Sequence, residues 1–187
     1  MEKPPWRRRS STYVVDSPHM RVRRDEIELP DGTIVTDYFV RESHGFVVVF
    51  PLTADDRVVM VRQYRYGADA IALELPAGVI DPGEDLLACA ARELAEETGY
   101  EAGSLVELTP YYPEASRSTA RGHIFVAHDV RRTREPSLDP TEVLEVELVS
   151  LADFRRLLAG GTIDSAASIV AGYRALDFLN TLSLDGP

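Results

Sequence analysis

The stretch GVIDPGEDLLACAARELAEETGY, residues 78–100, decides how this chain folds. Its first part is rich in glycine and proline, which is typical of a loop. Its second part predicts a helix from Asp85 to Thr98, since apolar residues recur there at helical spacing. Gly99 is placed to be the left-handed residue that ends the helix. Five carboxylates lie between Glu84 and Glu97, and such a density of like charge destabilises a helix unless something compensates it.

Three of these carboxylates share one face of the predicted helix. Glu93 and Glu97 lie one turn apart, and Glu96 lies about 60° from Glu93. Arg92 precedes Glu96 by one turn and can pair with it. A solvated acidic face is one interpretation of this cluster. The other is a divalent cation site, because Mg²⁺ prefers hard oxygen ligands.

Strand-like segments surround this helix. RVRRDEIEL (21–29) and TIVTDYFV (33–40) alternate on either side of a DGT turn and predict a hairpin. GFVVVFPL (45–52) is continuously apolar and predicts a strand that is buried on both faces. Further strands are predicted at 57–65, 71–78, 104–112, 122–130 and 143–151, and two closing helices at 152–159 and 165–179. Strands mixed with a few helices indicate an α/β or α+β sandwich.

Net charge, apolar runs and cysteine content indicate which partners and which cellular compartment to expect. The formal net charge of -11 disfavours a general nucleic-acid binder, whose target needs cationic surface. No apolar run approaches the ~20 residues that a membrane span needs, and the N-terminus lacks the apolar core of a signal peptide. The single cysteine, Cys89, fits a reducing compartment. We therefore expect a cytoplasmic protein that binds neither nucleic acid nor membrane.

Positive charge is concentrated at the start of the chain. Residues 1–24 carry seven basic groups against two acidic ones, a local charge of +5. Two interpretations are open. This segment is either a solvated arm or an arm that docks on an acidic body, including that of a second subunit.

Gly78, Glu84 and the run from Arg92 to Tyr100 have the spacing of a known motif: they resemble the Nudix box at every defined position. The resemblance implies an α/β fold, the Nudix α/β/α sandwich with a mixed central sheet, plus an N-terminal antiparallel β-hairpin segment. Residues 1–42 are then expected to form an arm and hairpin that mediate dimerisation, and residues 43–187 the hydrolase domain. The family hydrolyses nucleoside diphosphates that are linked to another moiety.

The resemblance also assigns roles to individual residues. It implies that Mg²⁺, with Mn²⁺ as a substitute, is held by the main-chain carbonyl of Ala77 and by Glu93, Glu96 and Glu97. Arg92 would orient the glutamates through an ion pair, and Glu84 would brace the loop and the helix. Gly78 would hold a strained turn, through a φ that other residues resist or through a close approach of the backbone to the ligand.

Residues 43–101 resemble the ADP-ribose pyrophosphatase branch of this family, through VRQYRYG (61–67) and ELPAGVID (74–81). Arg62 and Arg65 are expected to bind the diphosphate, which suits a planar guanidinium. Glu74 is expected either to contact the ligand or to cap its strand. The loop at 111–123 departs from the spacing of this branch, and it is predicted to bring Glu114 and Arg117 near the substrate.

The box does not identify the general base. Glu142, at the end of a turn-rich segment, is the first candidate, followed by Asp139 and Glu114. The predicted reaction is the Mg²⁺-dependent hydrolysis of ADP-ribose to AMP and ribose 5-phosphate by a homodimer. The alternatives are another nucleoside diphosphate derivative, such as GDP-mannose, ADP-glucose or a dinucleoside polyphosphate, and a nucleotide sensor that does not hydrolyse its ligand.

Overall fold

A computed structural model describes residues 5–140 and 142–184. The chain forms two compact units. The first, called the N-terminal unit below, comprises residues up to Gly45 together with Tyr112–Arg121. The second, called the main unit below, comprises Phe46–Tyr111 and the residues from Gly122 onward.

The N-terminal unit is built on a three-stranded antiparallel sheet in the order β1-β2-β3. Its strands are β1 (Arg7–Ser17), β2 (Met20–Glu28) and β3 (Ile34–Glu42). The pairing of β2 with β3 confirms the predicted hairpin.

Strand β1 contains three of the basic residues at the start of the chain. Its arginines face acidic residues across the sheet: Arg7 lies 2.9 Å from Glu28, and Arg9 lies 3.4 Å from Glu26. The positive charge of the first 24 residues is therefore partly neutralised within its own sheet. The sequence pattern did not predict this strand, because nearly all of its residues are exposed and apolar and polar side chains therefore do not alternate along it.

The segment Tyr112–Arg121 belongs to the N-terminal unit although it lies far from it in sequence. The main chain of Arg41 donates to the Arg117 carbonyl at 2.8 Å and accepts from Thr119 at 3.1 Å. The Arg117 guanidinium lies 5.3 Å from the centre of the Tyr38 ring. The segment is thus fixed along β3 by main-chain hydrogen bonds and a cation–π contact.

The main unit contains a mixed seven-stranded sheet, with a main path in the order β12-β5-β4-β10-β9. Strand β4 runs parallel to β10 and antiparallel to β5. Strand β6 pairs with β5, and β7 pairs with β4. The elements of this unit are β4 (Phe46–Leu52), β5 (Arg57–Arg65), β6 (Ala70–Glu74), β7 (Ala77–Val79), α1 (Leu86–Thr98), β8 (Tyr100–Glu101), β9 (Ser104–Glu107), β10 (Gly122–His128), β11 (Arg131–Arg132), β12 (Leu144–Ser150), α2 (Leu151–Ala159) and α3 (Ala166–Leu184).

Strand β4 divides the core of this unit into two layers. Val48 and Phe50 pack in a cluster with apolar side chains of α2 and α3. Val47 and Val49 pack in a second cluster with Ala90 and other side chains of α1. Because successive side chains of a strand point to opposite faces, this continuously apolar strand serves both layers. The predicted α/β/α sandwich with a mixed sheet is confirmed.

The strand predicted at 71–78 is interrupted. It splits into β6, which pairs with β5, and β7, which pairs with β4. Pro76 lies at the break, where its missing N–H cannot contribute to a ladder, while its carbonyl accepts from Val49 N at 2.9 Å. This change of partner carries the chain from one strand of the sheet to another. It also sets Ala77 and Gly78 beside helix α1.

Helix α1 begins and ends as the sequence predicts. The Asp85 carboxylate accepts hydrogen bonds from Leu87 N and Ala88 N at 3.0 and 3.1 Å, so it caps the first turn. Gly99 adopts a left-handed φ of 75° and donates to Ala95 O. No helix in the described part of the chain is both long and apolar enough to span a membrane.

Tyr111 carries a buried hydroxyl that finds no hydrogen-bond partner within residues 5–140 and 142–184. Burial raises the pKa of this phenol to about 12. We expect Tyr111→Phe to raise the free energy of unfolding by about 1 kcal/mol, because the substitution removes an unsatisfied polar atom and keeps the ring. Urea denaturation would measure the change, with Tyr112→Phe as the control at an exposed tyrosine. A loss of stability in Tyr111→Phe would contradict this reasoning.

Candidate active site

Arg92 is the centre of the carboxylate cluster. Its guanidinium donates to both oxygens of Glu84, at 2.8 and 2.9 Å. It also donates to Glu93 at 2.8 Å and to Glu96 at 3.0 Å. One cation therefore pairs with three carboxylates, two from its own helix and one from the preceding loop.

Glu84 connects this cluster to the loop before the helix. Its Oε2 atom accepts a hydrogen bond from Asp81 N at 3.1 Å, in addition to its two bonds from Arg92. The Arg92 guanidinium holds the pKa of Glu84 down, to about 2, with a further contribution from the Asp81 N–H. Glu84 is thus ionised at neutral pH and joins the loop to the helix.

Gly78 corrects one part of the prediction. Its φ is not among the positive values, so the turn does not require a left-handed glycine. A Cβ atom on this residue would instead overlap the carboxylate of Glu93. The close approach is to a side chain of the site itself, and it allows Glu93 to lie against strand β7.

Glu97 is buried more deeply than the other acidic residues of helix α1. Its Oε2 atom accepts a hydrogen bond from Ala77 N at 3.0 Å. Burial raises the pKa of Glu97 to about 8 against this hydrogen bond, and the charges of Glu93 and Glu142 raise it further. Burial likewise raises the pKa of Glu93, although Arg92 opposes it. Two neighbouring buried carboxylates thus have too little positive charge to stabilise their ionised forms.

This imbalance is what a divalent cation would correct. The available donors are carboxylate oxygens and main-chain carbonyls, the hard ligands that Mg²⁺ and Mn²⁺ prefer. Within the described ranges, no three acidic, histidine or cysteine side chains form a ready-made metal cluster. Glu93 and Glu96 instead share the NH1 nitrogen of Arg92. The chemistry of the donors fits such a cation, which would compete with Arg92 for Glu93 and Glu96.

A cleft with two connected parts opens beside this cluster. One part, of about 540 Å³, is lined mainly by charged residues, including Glu93, Glu96 and Arg92. The other, of about 580 Å³, extends along β5 and β12. Four residues line both parts: Arg65, Ala77, Glu97 and Glu142.

Glu142 therefore lies where the two parts of the cleft meet. Its Oε2 atom accepts from Asp139 N at 3.0 Å, and its own N–H donates to Asp139 O at 2.8 Å. Asp139 lines the charged part only. Ser137 N donates to Glu96 O at 2.8 Å, so the segment that carries both candidates for the general base is tied to helix α1.

Two arginines of strand β5, Arg62 and Arg65, have carboxylate partners. Arg65 Nε donates to the buried Glu74 at 2.7 Å, and Gln63 Nε2 donates to the same oxygen at 3.3 Å. Arg62 donates through two nitrogens to Glu147, at 2.9 and 2.7 Å. Glu74 thus positions Arg65 in the cleft.

The predicted substrate residues Glu114 and Arg117 lie in the N-terminal unit. The Glu114 carbonyl accepts from the main chain of Arg117 and Ser118, which makes this segment a tight turn. Their assignment to the substrate stays a prediction.

The sequence reasoning missed the apolar residues of the cleft. They are Tyr64, Tyr66, Ile71 and Val143. Tyr64 and Arg65 are adjacent on a strand and so point to opposite faces, a pattern that was visible in the sequence. That Val143 and Ile71 lie near Tyr64 depends on strand pairing, which local sequence does not give.

Comparison with known families locates two matches on this chain. A family described as "NUDIX domain" matches residues 43–169. A second, described as "Nucleoside diphosphate sugar hydrolase N-terminal domain", matches residues 6–40.

Comparison with individual proteins agrees with these matches. The chain is 32% identical to the ADP-ribose pyrophosphatase of Bacillus subtilis (strain 168) over 148 residues, which cover 79% of this chain and 80% of that protein. It is 28% identical to a GDP-mannose pyrophosphatase of Klebsiella pneumoniae over 170 residues, covering 85% and 83%. A crystal structure of an ADP compounds hydrolase superposes with a TM-score of 0.85 over 97% of this chain and 98% of that one, at 24% identity, which shows a shared fold.

A methyl group at position 78 tests the contact between β7 and Glu93. We expect Gly78→Ala to displace the Glu93 carboxylate. The rate of substrate hydrolysis should fall by at least about 100-fold, since misplacement of a catalytic group by ~1 Å can reduce the rate by that factor. Steady-state kinetics would measure the loss, and circular dichroism would check the fold. Gly67→Ala is the matched control, because a Cβ there meets nothing within 4 Å. Wild-type activity in Gly78→Ala would show that the contact is dispensable.

Proposed function

Because the chain belongs to the NUDIX family, we propose that it hydrolyses the diphosphate bond of nucleoside diphosphate-sugars, with ADP-ribose as the preferred substrate and AMP and ribose 5-phosphate as products. The observation that carries this proposal is the pair of buried carboxylates, Glu93 and Glu97, at the edge of a cleft that also contains Arg65. A similar ADP-ribose pyrophosphatase supports the choice of substrate.

We propose that Glu93, Glu96, Glu97 and the carbonyl of Ala77 hold Mg²⁺, or Mn²⁺ in its place. When bound, such a cation neutralises diphosphate oxygens and lowers the pKa of a water molecule. Arg92 keeps Glu93 and Glu96 oriented, and Glu84 fixes Arg92 from the other side. The hydrogen bonds of Arg92 to three carboxylates would therefore hold the side chains of the proposed site in position.

Glu142 is our candidate for the general base. It lies at the junction of the two parts of the cleft, near enough to Glu97 to raise the pKa of that carboxyl. There it could accept the proton of the attacking water. Asp139, which lines only the charged part, is the second candidate, and Glu114 is the third.

Arg65 and Arg62 are proposed to bind the diphosphate. Glu74 holds Arg65 through Nε, and among the described residues the terminal nitrogens of Arg65 make no hydrogen bond. These nitrogens are available to phosphate oxygens. Arg62 would have to share its guanidinium between a ligand and Glu147. Glu114 and Arg117 are proposed to contribute to recognition of the sugar.

Another nucleoside diphosphate-sugar is the second candidate substrate. The likeness to a GDP-mannose pyrophosphatase favours this possibility, and ADP-glucose and dinucleoside polyphosphates belong to the same class of chemistry. A sensor that binds a nucleotide without hydrolysis is disfavoured, because every carboxylate of residues 78–100 that the motif defines is present.

We propose that the protein is a cytoplasmic homodimer that pairs through its N-terminal unit. Apolar side chains of the N-terminal sheet, among them Val14, Val15 and Met20, are exposed. Light scattering that gave the 20.8 kDa mass of a single chain would refute the dimer. Recovery of the protein outside the cytoplasmic fraction of its cells would refute the location.

Turnover of a small panel tests the reaction. With Mg²⁺, we expect the highest kcat/KM for ADP-ribose among ADP-ribose, ADP-glucose, GDP-mannose and diadenosine polyphosphates. Glu97→Gln should lose most of this activity, because the amide keeps the shape of the carboxylate and removes its charge. Glu101→Gln, at an exposed glutamate just after the helix, is the matched control. A different preferred substrate would keep the metal chemistry and exclude ADP-ribose as the main substrate.

Replacement of Glu142 tests the general base. Glu142→Gln should fold and bind Mg²⁺ as the wild type does, while its kcat falls about 100-fold or more, as expected when a general base is removed. Asp139→Asn serves as the comparison. Near-normal turnover in Glu142→Gln, with a large loss in Asp139→Asn, would transfer the role to Asp139.

A further inference from the structure

Gly99 ends helix α1, and a contact beyond the helix also requires a glycine at this position. A Cβ atom there would overlap the main-chain carbonyl of Arg134. Gly161 has nearly the same left-handed φ, 77° against 75°, but a Cβ atom on it would meet nothing within 4 Å. A left-handed φ therefore favours glycine at both positions, and the close approach of another main-chain segment is a second requirement at Gly99.

The segment that follows β11 is hydrogen-bonded to the end of helix α1. Thr133 N and Arg134 N both donate to Gly99 O, at 3.0 and 3.3 Å. Ser137 N donates to Glu96 O at 2.8 Å. The last carbonyls of a helix have no N–H partner within the helix, so an external donor is needed to satisfy them. Residues 133–137 supply these donors and are fixed to the helix in return.

The same segment leads to the candidates for the general base. Ser137 precedes Asp139 by two residues and Glu142 by five. Asp139 lines the charged part of the cleft, and Glu142 lines both parts. The two are joined by hydrogen bonds in both directions, from Glu142 N to Asp139 O and from Asp139 N to the Glu142 carboxylate. The anchored residues therefore fix the start of a short stretch whose end carries both carboxylates.

We propose that Gly99 is a positioning residue for the general base. By leaving room for the Arg134 carbonyl, it lets residues 133–137 lie against helix α1, and this contact holds Asp139 and Glu142 in the cleft. The proposal rests on the proposed function, which gives one of these two side chains the role of base.

Helix α1 would then position both the carboxylates of the metal site and the base. Glu93 and Glu97 are residues of this helix, and Glu142 lies close enough to raise the pKa of both. A general base must lie within hydrogen-bond reach of the water that it deprotonates, and a displacement of ~1 Å can slow a reaction about 100-fold. Anchoring the base segment to the same helix keeps the distance between Glu142 and these carboxylates constant.

Hydrogen exchange measured by mass spectrometry tests the anchoring without turnover. In Gly99→Ala, we expect the amides of residues 131–140 to exchange at least about tenfold faster, because the added methyl group separates the segment from the helix and breaks its hydrogen bonds. Gly161→Ala is the matched control, since it introduces the same left-handed strain without an overlap. Gly99→Asn should release the segment as well, because asparagine tolerates a left-handed φ but still carries a Cβ atom.

Steady-state kinetics tests the positioning. We expect Gly99→Ala to lower kcat at least about tenfold with KM nearly unchanged, since the base moves while the groups that bind substrate stay in place. Added to Glu142→Gln, the same change should cause less than about a twofold further loss, because the group that it displaces is already absent. If Glu142→Gln alone is close to wild type, the pair is made with Asp139→Asn. Ser137→Pro removes the N–H that is donated to Glu96 and leaves the helix intact, so it should also lower kcat and serves if Gly99→Ala does not fold.

Three results would overturn this role of Gly99. They are unchanged exchange of residues 131–140 in Gly99→Ala, losses of kcat that multiply in the double variant, and an equal loss in Gly161→Ala. A wild type that hydrolyses no nucleoside diphosphate-sugar would refute the proposed function, and hydrogen exchange would still decide whether Gly99 anchors the segment. An active wild type with normal kcat in Gly99→Ala would refute the positioning role alone.

Discussion

The pairing of Arg92 with Glu84, Glu93 and Glu96 is the interaction on which the candidate site depends. Without the positive charge of the Arg92 guanidinium, the carboxylates of the loop and the helix would repel one another where the loop leads into the helix. With it, the loop that follows β7 is fixed to helix α1 through Glu84. Glu97 lies outside this network, and it receives a main-chain hydrogen bond from Ala77 instead.

This division separates the electrostatic environment of the loop before helix α1 from that of a carboxylate on the helix. Glu84 is held ionised by its partner, and Glu97 is driven by burial toward its neutral form. The second situation is costly for an isolated chain, since a buried carboxylate must either take up a proton or find a positive charge. An oxygen-rich position of this kind is suited to a divalent cation, which would offset the cost of burying these acidic residues against β7.

Local sequence predicted the parts of the molecule that local interactions determine. Helix α1 and its Gly99 end follow from periodicity and from the left-handed conformation that glycine permits, and the two-faced burial of β4 follows from its continuous apolar run. The rest depends on long-range pairing. Strand β1 is exposed along nearly its whole length and is defined by its pairing with β2, and the attachment of Thr119 to Arg41 joins residues that are far apart in sequence.

Two arginines of the cleft differ in a way that their local sequence does not show. Arg62 and Arg65 look equivalent in VRQYRYG, because both are arginines on one strand. The structure makes them different. Arg65 is held through Nε by the buried Glu74, and its terminal nitrogens face a cleft, whereas Arg62 uses Nε and a terminal nitrogen on the half-exposed Glu147. In the proposed site, a diphosphate would bind Arg65 without breaking a pair, but it would have to compete with a carboxylate for Arg62. That competition depends on the strand register that sets β12 beside β5, so in the proposed site the affinity for a diphosphate would depend on the sheet as well as on the motif.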